Sequence, residues 1–68
     1  SGDADEDEAR MQLLRGIEQL SQVFTDPDSR GQLAIATEHV VGGNVYQALK
    51  ALRVLLPREE RLMAARPS

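Results

Sequence analysis

The chain reads as an all-α protein, a small antiparallel three-helix bundle with room for a short fourth helix at its C-terminus. Three observations predict this. Apolar residues recur at three- and four-residue intervals in three separate stretches. The stretches are divided by helix stop and start signals, Thr25-Asp26-Pro27-Asp28-Ser29 and Gly42-Gly43-Asn44. Strand signals are scarce: Phe24 and Tyr46 are the only aromatic residues, and no long alternating pattern occurs.

The first helix is expected from about Asp5 to Phe24. Met11, Leu13, Leu14, Ile17, Leu20, Val23 and Phe24 fall on one stripe, and the carboxylates at its start favour the positive end of the helix dipole. Gly16 is a weak point, costing about 1 kcal/mol relative to Ala if exposed. Pro27 cannot continue that helix but suits the first turn of the next, with Asp26 as its N-cap. This second helix should run to about Val41, turning Leu33, Ala36 and Val40 inward, with Ile35 and Val41 as further candidates. Gly42-Gly43 ends it, because glycine adopts the left-handed conformation without steric cost. Asn44 then caps a third helix, with Gln47 three residues on in the manner of a capping box. Val45, Ala48, Leu49, Leu52, Leu55 and Leu56 follow at helical offsets. Pro57 should break or bend this helix and push Leu56 toward an extended conformation, and a short last helix is expected over 57–65. Leu13, Ile17, Leu20, Phe24, Val40, Leu49, Leu52 and Leu55 are the expected core, packed chiefly between the first and third helices.

Sixty-eight residues allow one domain at most, and so short a chain buries only about 60 % of its unfolded surface. With no cysteine, neither disulfides nor thiolate metal sites can reinforce it. The expected organisation is an acidic, flexible segment over 1–8, a helical domain over 9–65 and a frayed tail over 66–68. The net charge of -3 is uneven: five acids lie in the first eight residues, whereas all eight Lys and Arg come later. Neither part is basic enough for duplex binding. No apolar run approaches the roughly 20 residues of a membrane span, and no signal peptide is visible. The chain opens on Ser-Gly without an initiating Met, which reads as a domain excised from a larger intracellular protein of the cytoplasm or nucleus.

Motifs for chemistry are few, and no cofactor, metal or catalytic residue is expected. Asp3, Asp5 and Asp7 open like a calcium loop, but the required Gly and Glu positions hold Glu8 and Leu14. His39 stands alone, and a histidine in the last turn of a helix is ordinary complementation of the dipole. No serine lies in a nucleophile elbow. A bundle of this size is not expected to hold a pocket of about 300 Å³ or more.

Surface remains. Tyr46, Lys50 and Arg53 share one face of the third helix, with Val54 and Leu56 flanking the core stripe, while Met11 and Leu14 broaden the first stripe. These seven residues are the candidate partner-binding set. The corresponding function is a non-catalytic adaptor or scaffold module that docks an amphipathic helix or short motif of another protein in an apolar groove. Self-association is the alternative, and weak nucleic-acid binding by Arg53, Arg58, Arg61 and Arg66 the third reading.

Two resemblances accompany this. Ala36, Gly43, Ala48 and Leu52 resemble the small-residue pattern of a tetratricopeptide helix pair, although Pro57 comes early and no second 34-residue period follows. Leu33 and the run Asn44-Val45-Tyr46-Gln47-Ala48-Leu49 resemble the heterodimerising module of Lin-type membrane scaffold proteins. The latter likeness implies pairing with another such module into a four-helix bundle.

Overall fold

The computed structural model describes residues 2–65, which form four helices: α1 (Gly2–Val23), α2 (Pro27–Val41), α3 (Val45–Arg53) and α4 (Leu56–Ala65). The expected all-α bundle is present, with its fourth helix. The tail over 66–68 lies outside the described residues.

The junctions follow from local chemistry. The Asp26 carboxylate accepts the Ser29 N–H at 2.9 Å, and Pro27 occupies the first turn of α2. Asn44 likewise accepts the Gln47 N–H at 3.2 Å at the start of α3. Between these helices, Gly42 keeps a right-handed backbone and Gly43 alone takes φ +83°, a region that side chains strain to enter. α1 has no basic residue in its own last turn, and Arg30 of α2 supplies the missing cation. Its guanidinium donates to the carbonyls of Ser21 (2.8 Å) and Phe24 (3.1 Å), satisfying oxygens that the helix end would leave free.

Two boundaries differ from expectation. α1 begins at Gly2, so Asp5, Glu6, Asp7 and Glu8 lie in its first two turns, at the end where carboxylates complement the dipole. The third helix ends at Arg53, before the proline, and Leu56 is the first residue of α4 instead of an extended one. The Leu55 N–H turns back to the Leu52 carbonyl at 2.9 Å, so the bend falls at Val54–Leu55 and Pro57 sits in the tolerant first turn of α4.

α2 is the central element. It packs extensively on α1 on one side and on α3 on the other, whereas α1 and α3 share no comparable contact. The core is Ile17, Phe24, Leu33, Ala36, Val40, Ala48, Ala51 and Leu55, with Leu13, Leu20 and Leu52 packed partly buried against it. Three alanines in that set let α2 and α3 approach closely. Gln32 crosses between them to donate to the Ala51 carbonyl at 3.3 Å. The expected core is corrected at Leu49, which is 47 % exposed, and the predicted pairing of the third helix with the first gives way to pairing with α2. Ile35, Val41 and Val23 also face outward.

Candidate functional site

With Ala48 and Ala51 turned to α2, the rest of α3 is left for the surface. Successive residues are about 100° apart on a helix. That places Leu52 and Leu49 beside the buried face, with Arg53, Tyr46 and Lys50 beyond them. Together with Leu20 of α1, Leu55, and Leu56 and Glu59 of α4, they line an open groove of about 650 Å³. Its floor is leucine, its outer edge carries Lys50 and Arg53, and Glu59 closes the α4 side. Tyr46 is 72 % exposed, with its aromatic ring available at the rim. The groove also corrects the expectation that so small a bundle has no room for a site: it arises on the outside, where two short helices diverge.

The structure thus brings together four of the seven predicted site residues, Tyr46, Lys50, Arg53 and Leu56. Val54 is exposed in the turn outside the groove lining. Met11 and Leu14 lie elsewhere, on a shallow surface with Val40 and Val41. Leu20, Leu49, Leu52, Leu55 and Glu59 are additions. Leu49 and Leu20 carry an apolar signal that reads equally well as core, and Glu59 joins only because the bend at Val54–Leu55 swings α4 alongside.

A second polar feature lies at the corner between α1 and α2. Ser29 is buried, and its hydroxyl accepts from the Arg58 guanidinium of α4 at 3.0 Å. Asp26 accepts the Ser29 backbone N–H at 2.9 Å, has the Ser29 hydroxyl close by, and feels the charge of Arg58. These hold its carboxyl below the ordinary aspartate value. Asp28, Arg61 and Leu62 border the same notch.

The calcium-like Asp5 and Asp7 belong to a helix, where Asp7 pairs with Arg10, and among the described residues no cluster of metal-ligating side chains forms. His39 is half-buried in the last turn of α2, and its carbonyl accepts the Asn44 N–H. No described helix is long and apolar enough to cross a membrane.

Fold and site therefore define a small helical protein with an open, leucine-floored groove edged by two cations and an aromatic ring. The chain belongs to the FlbT family of flagellar proteins, whose family model matches residues 1–63. Over 56 residues it is 38 % identical to proteins called probable flagellum biosynthesis repressor protein FlbT from Brucella abortus strain S19, Brucella melitensis biotype 2 and Brucella suis biovar 1. The match covers 82 % of this chain and 35 % of each relative, so the chain spans about a third of the length of those proteins. No solved structure matches it. This membership overturns the expectation of a general adaptor or scaffold docking partner helices, and with it the self-associating alternative and the tetratricopeptide and Lin-type likenesses. The alanine pattern behind the tetratricopeptide likeness reports close helix packing, a property many helical families share.

Proposed function

We propose that this chain is part of a repressor of flagellum biosynthesis, and that it contacts RNA through the α3–α4 groove. The role is regulatory, not catalytic. Support for repression comes from the relatives' name. The observation that carries the RNA reading is the convergence of Tyr46, Lys50 and Arg53 on one groove.

The chemistry favours unpaired RNA over duplex. A duplex hides its bases and offers phosphates, so a chain of net charge -3 has little to hold it with. An unpaired loop presents base faces that stack on exposed aromatic rings and phosphates that meet nearby cations. Tyr46 supplies the ring, the leucine floor supplies apolar surface for a splayed base, and Lys50 and Arg53 supply the cations. Glu59 repels phosphate and confines the backbone to the α3 edge. The surface differs from the arginine patch expected from sequence: of Arg53, Arg58, Arg61 and Arg66, the groove takes only Arg53, while Arg58 is bound to Ser29, Arg61 borders the notch beside Asp26, and Arg66 lies outside the described residues. This reading assigns the protein to the cytoplasm, where bacterial messages are translated.

Fluorescence anisotropy with a labelled single-stranded RNA, against a duplex of the same sequence, tests it. With two phosphates neutralised, log K should fall with log salt with a slope of about -1.4 on single strands. Tyr46→Ala and Lys50→Glu should each weaken binding, while Met11→Ala on the remote surface should not. Equal affinity for duplex and single strand, or indifference to both groove variants, would refute the proposal.

A further inference from the structure

We propose that α4 is a hinged wall of this groove, pivoting at Val54–Leu55 and held in place by a polar chain from Arg58 through Ser29 to Asp26.

The hinge is short and well defined. α3 ends at Arg53, α4 begins at Leu56, and only Val54 and Leu55 join them. Leu55 is 1 % exposed, so the base of the lever is pinned in the core. Beyond it the hold weakens abruptly. No residue of α4 is buried, and the extensive helix contacts of the fold are α1 with α2 and α2 with α3. Ten residues of helix extend about 15 Å, so a swing of about 20° carries the far end through about 5 Å.

What opposes the swing is polar. The half-buried Arg58 side chain reaches across to Ser29, whose buried hydroxyl accepts from the guanidinium at 3.0 Å and whose backbone N–H donates to the Asp26 carboxylate at 2.9 Å. A hydrogen bond with a charged donor in a partly desolvated place is stronger than a neutral one in water. Asp28 and Arg61 also border this notch, one of each sign, as do Phe24 and the half-exposed Leu62. On its opposite side α4 presents Leu56 and Glu59 to the groove of Tyr46, Lys50 and Arg53. A single helix thus has its fastening on one side and a wall of the site on the other. Releasing Arg58 widens the groove and moves the Glu59 carboxylate away from the cations.

The hinge stands on geometry alone; its effect on RNA rests on the function proposed above. The test uses Ser29→Ala, which deletes the hydroxyl yet leaves every groove side chain and the Ser29 N–H cap in place, and Arg58→Met, which keeps an apolar stem. Amide hydrogen exchange should show α4 opening about tenfold faster in both variants, with α2 and α3 unchanged, as loss of one charge-assisted hydrogen bond on a locally unfolding unit requires. Unchanged exchange in α4, or acceleration spread equally over all four helices, overturns the hinge. The affinity of Ser29→Ala for the labelled single-stranded RNA should shift although no groove charge has changed. Selective loosening of α4 with an unaltered affinity would overturn its role as a wall of the site. If the unmodified protein binds no RNA while α4 still loosens selectively, the RNA reading fails and the hinge survives.

Discussion

Leu49 and Leu55 look alike in sequence, and the structure separates them sharply, so truncating each to alanine measures whether the fold is right. Leu55 is 1 % exposed and closes the core beneath the α3–α4 bend, whereas Leu49 is 47 % exposed on the groove floor. Deleting a fully buried leucine costs its transfer energy plus the cavity left behind, about 2 to 5 kcal/mol. Leu49 is roughly half-buried, so it forfeits about half the 1.5 to 3 kcal/mol of a full side chain and leaves an open dent in place of a void. Its cost should be about 1 kcal/mol. The whole domain, at about 0.05 to 0.15 kcal/mol per residue, has only about 3 to 10 kcal/mol to lose. Leu55→Ala should therefore lower Tm by at least about 8 °C or leave the chain unfolded, and Leu49→Ala by about 4 to 8 °C. Circular dichroism at 222 nm during heating reads both, and Leu55→Val supplies a milder step if the alanine variant does not fold. Equal losses at the two positions, or a larger loss at Leu49, would mean that α3 is rotated from the orientation described and that the groove is the true core.

Other expectations follow from the caps and turns. Gly43→Ala should destabilise by about 1 kcal/mol or more, because its φ of +83° lies where a Cβ is strained. Gly16→Ala should stabilise by up to about 1 kcal/mol, since it is mid-helix and a Cβ meets nothing within 4 Å. Urea denaturation resolves both signs. Asp26 has a depressed folded pKa, so the stability it confers is complete above the unfolded aspartate value near 3.9 and lost as pH falls through the lower folded value. Melting curves from pH 6 to pH 2 should show that acid component, and Asp26→Asn, which keeps a capping oxygen, should remove it.

Caps and breakers are the legible part of this fold. Asp26, Pro27, Gly43 and Asn44 act on backbone groups within a few residues of themselves, so local chemistry decides them. Side-chain direction is less legible. Counting apolar residues at helical offsets puts Leu49 on the core stripe, but it does not reveal that Ala48 and Ala51 make the contact with α2. Small residues win there because they let two helices approach closely, and a leucine at the interface would hold them apart. The position of the bend is hidden for a related reason. Pro57 disrupts a helix only where that helix runs into it from the turn before. Here α3 has already stopped at Arg53 and the chain bends at Val54–Leu55, so the proline starts a helix. Of the site, Tyr46, Lys50 and Arg53 are visible in sequence because they share one helix face; Leu20 and Glu59 are not, because they arrive from other helices.

The groove and the close packing of α2 on α3 have one cause. A nine-residue helix has little circumference to share, and alanine at the α2 contact moves the larger apolar side chains of α3 around to the next face. Leu49 and Tyr46, beside the half-buried Leu52, then form a surface that the bundle itself does not cover. For a chain that buries so little, leaving that area wet forgoes hydrophobic stabilisation on the order of a kcal/mol per leucine. A purely structural helix would lose little by exchanging Leu49 and Tyr46 for Glu or Lys, whose stems still cover apolar surface and whose charges add solubility. That exchange should lower Tm no further than Leu49→Ala does, and it should abolish RNA binding. A protein that lost its helical signal instead would show that these side chains serve packing, and the groove would lose its claim to be a site.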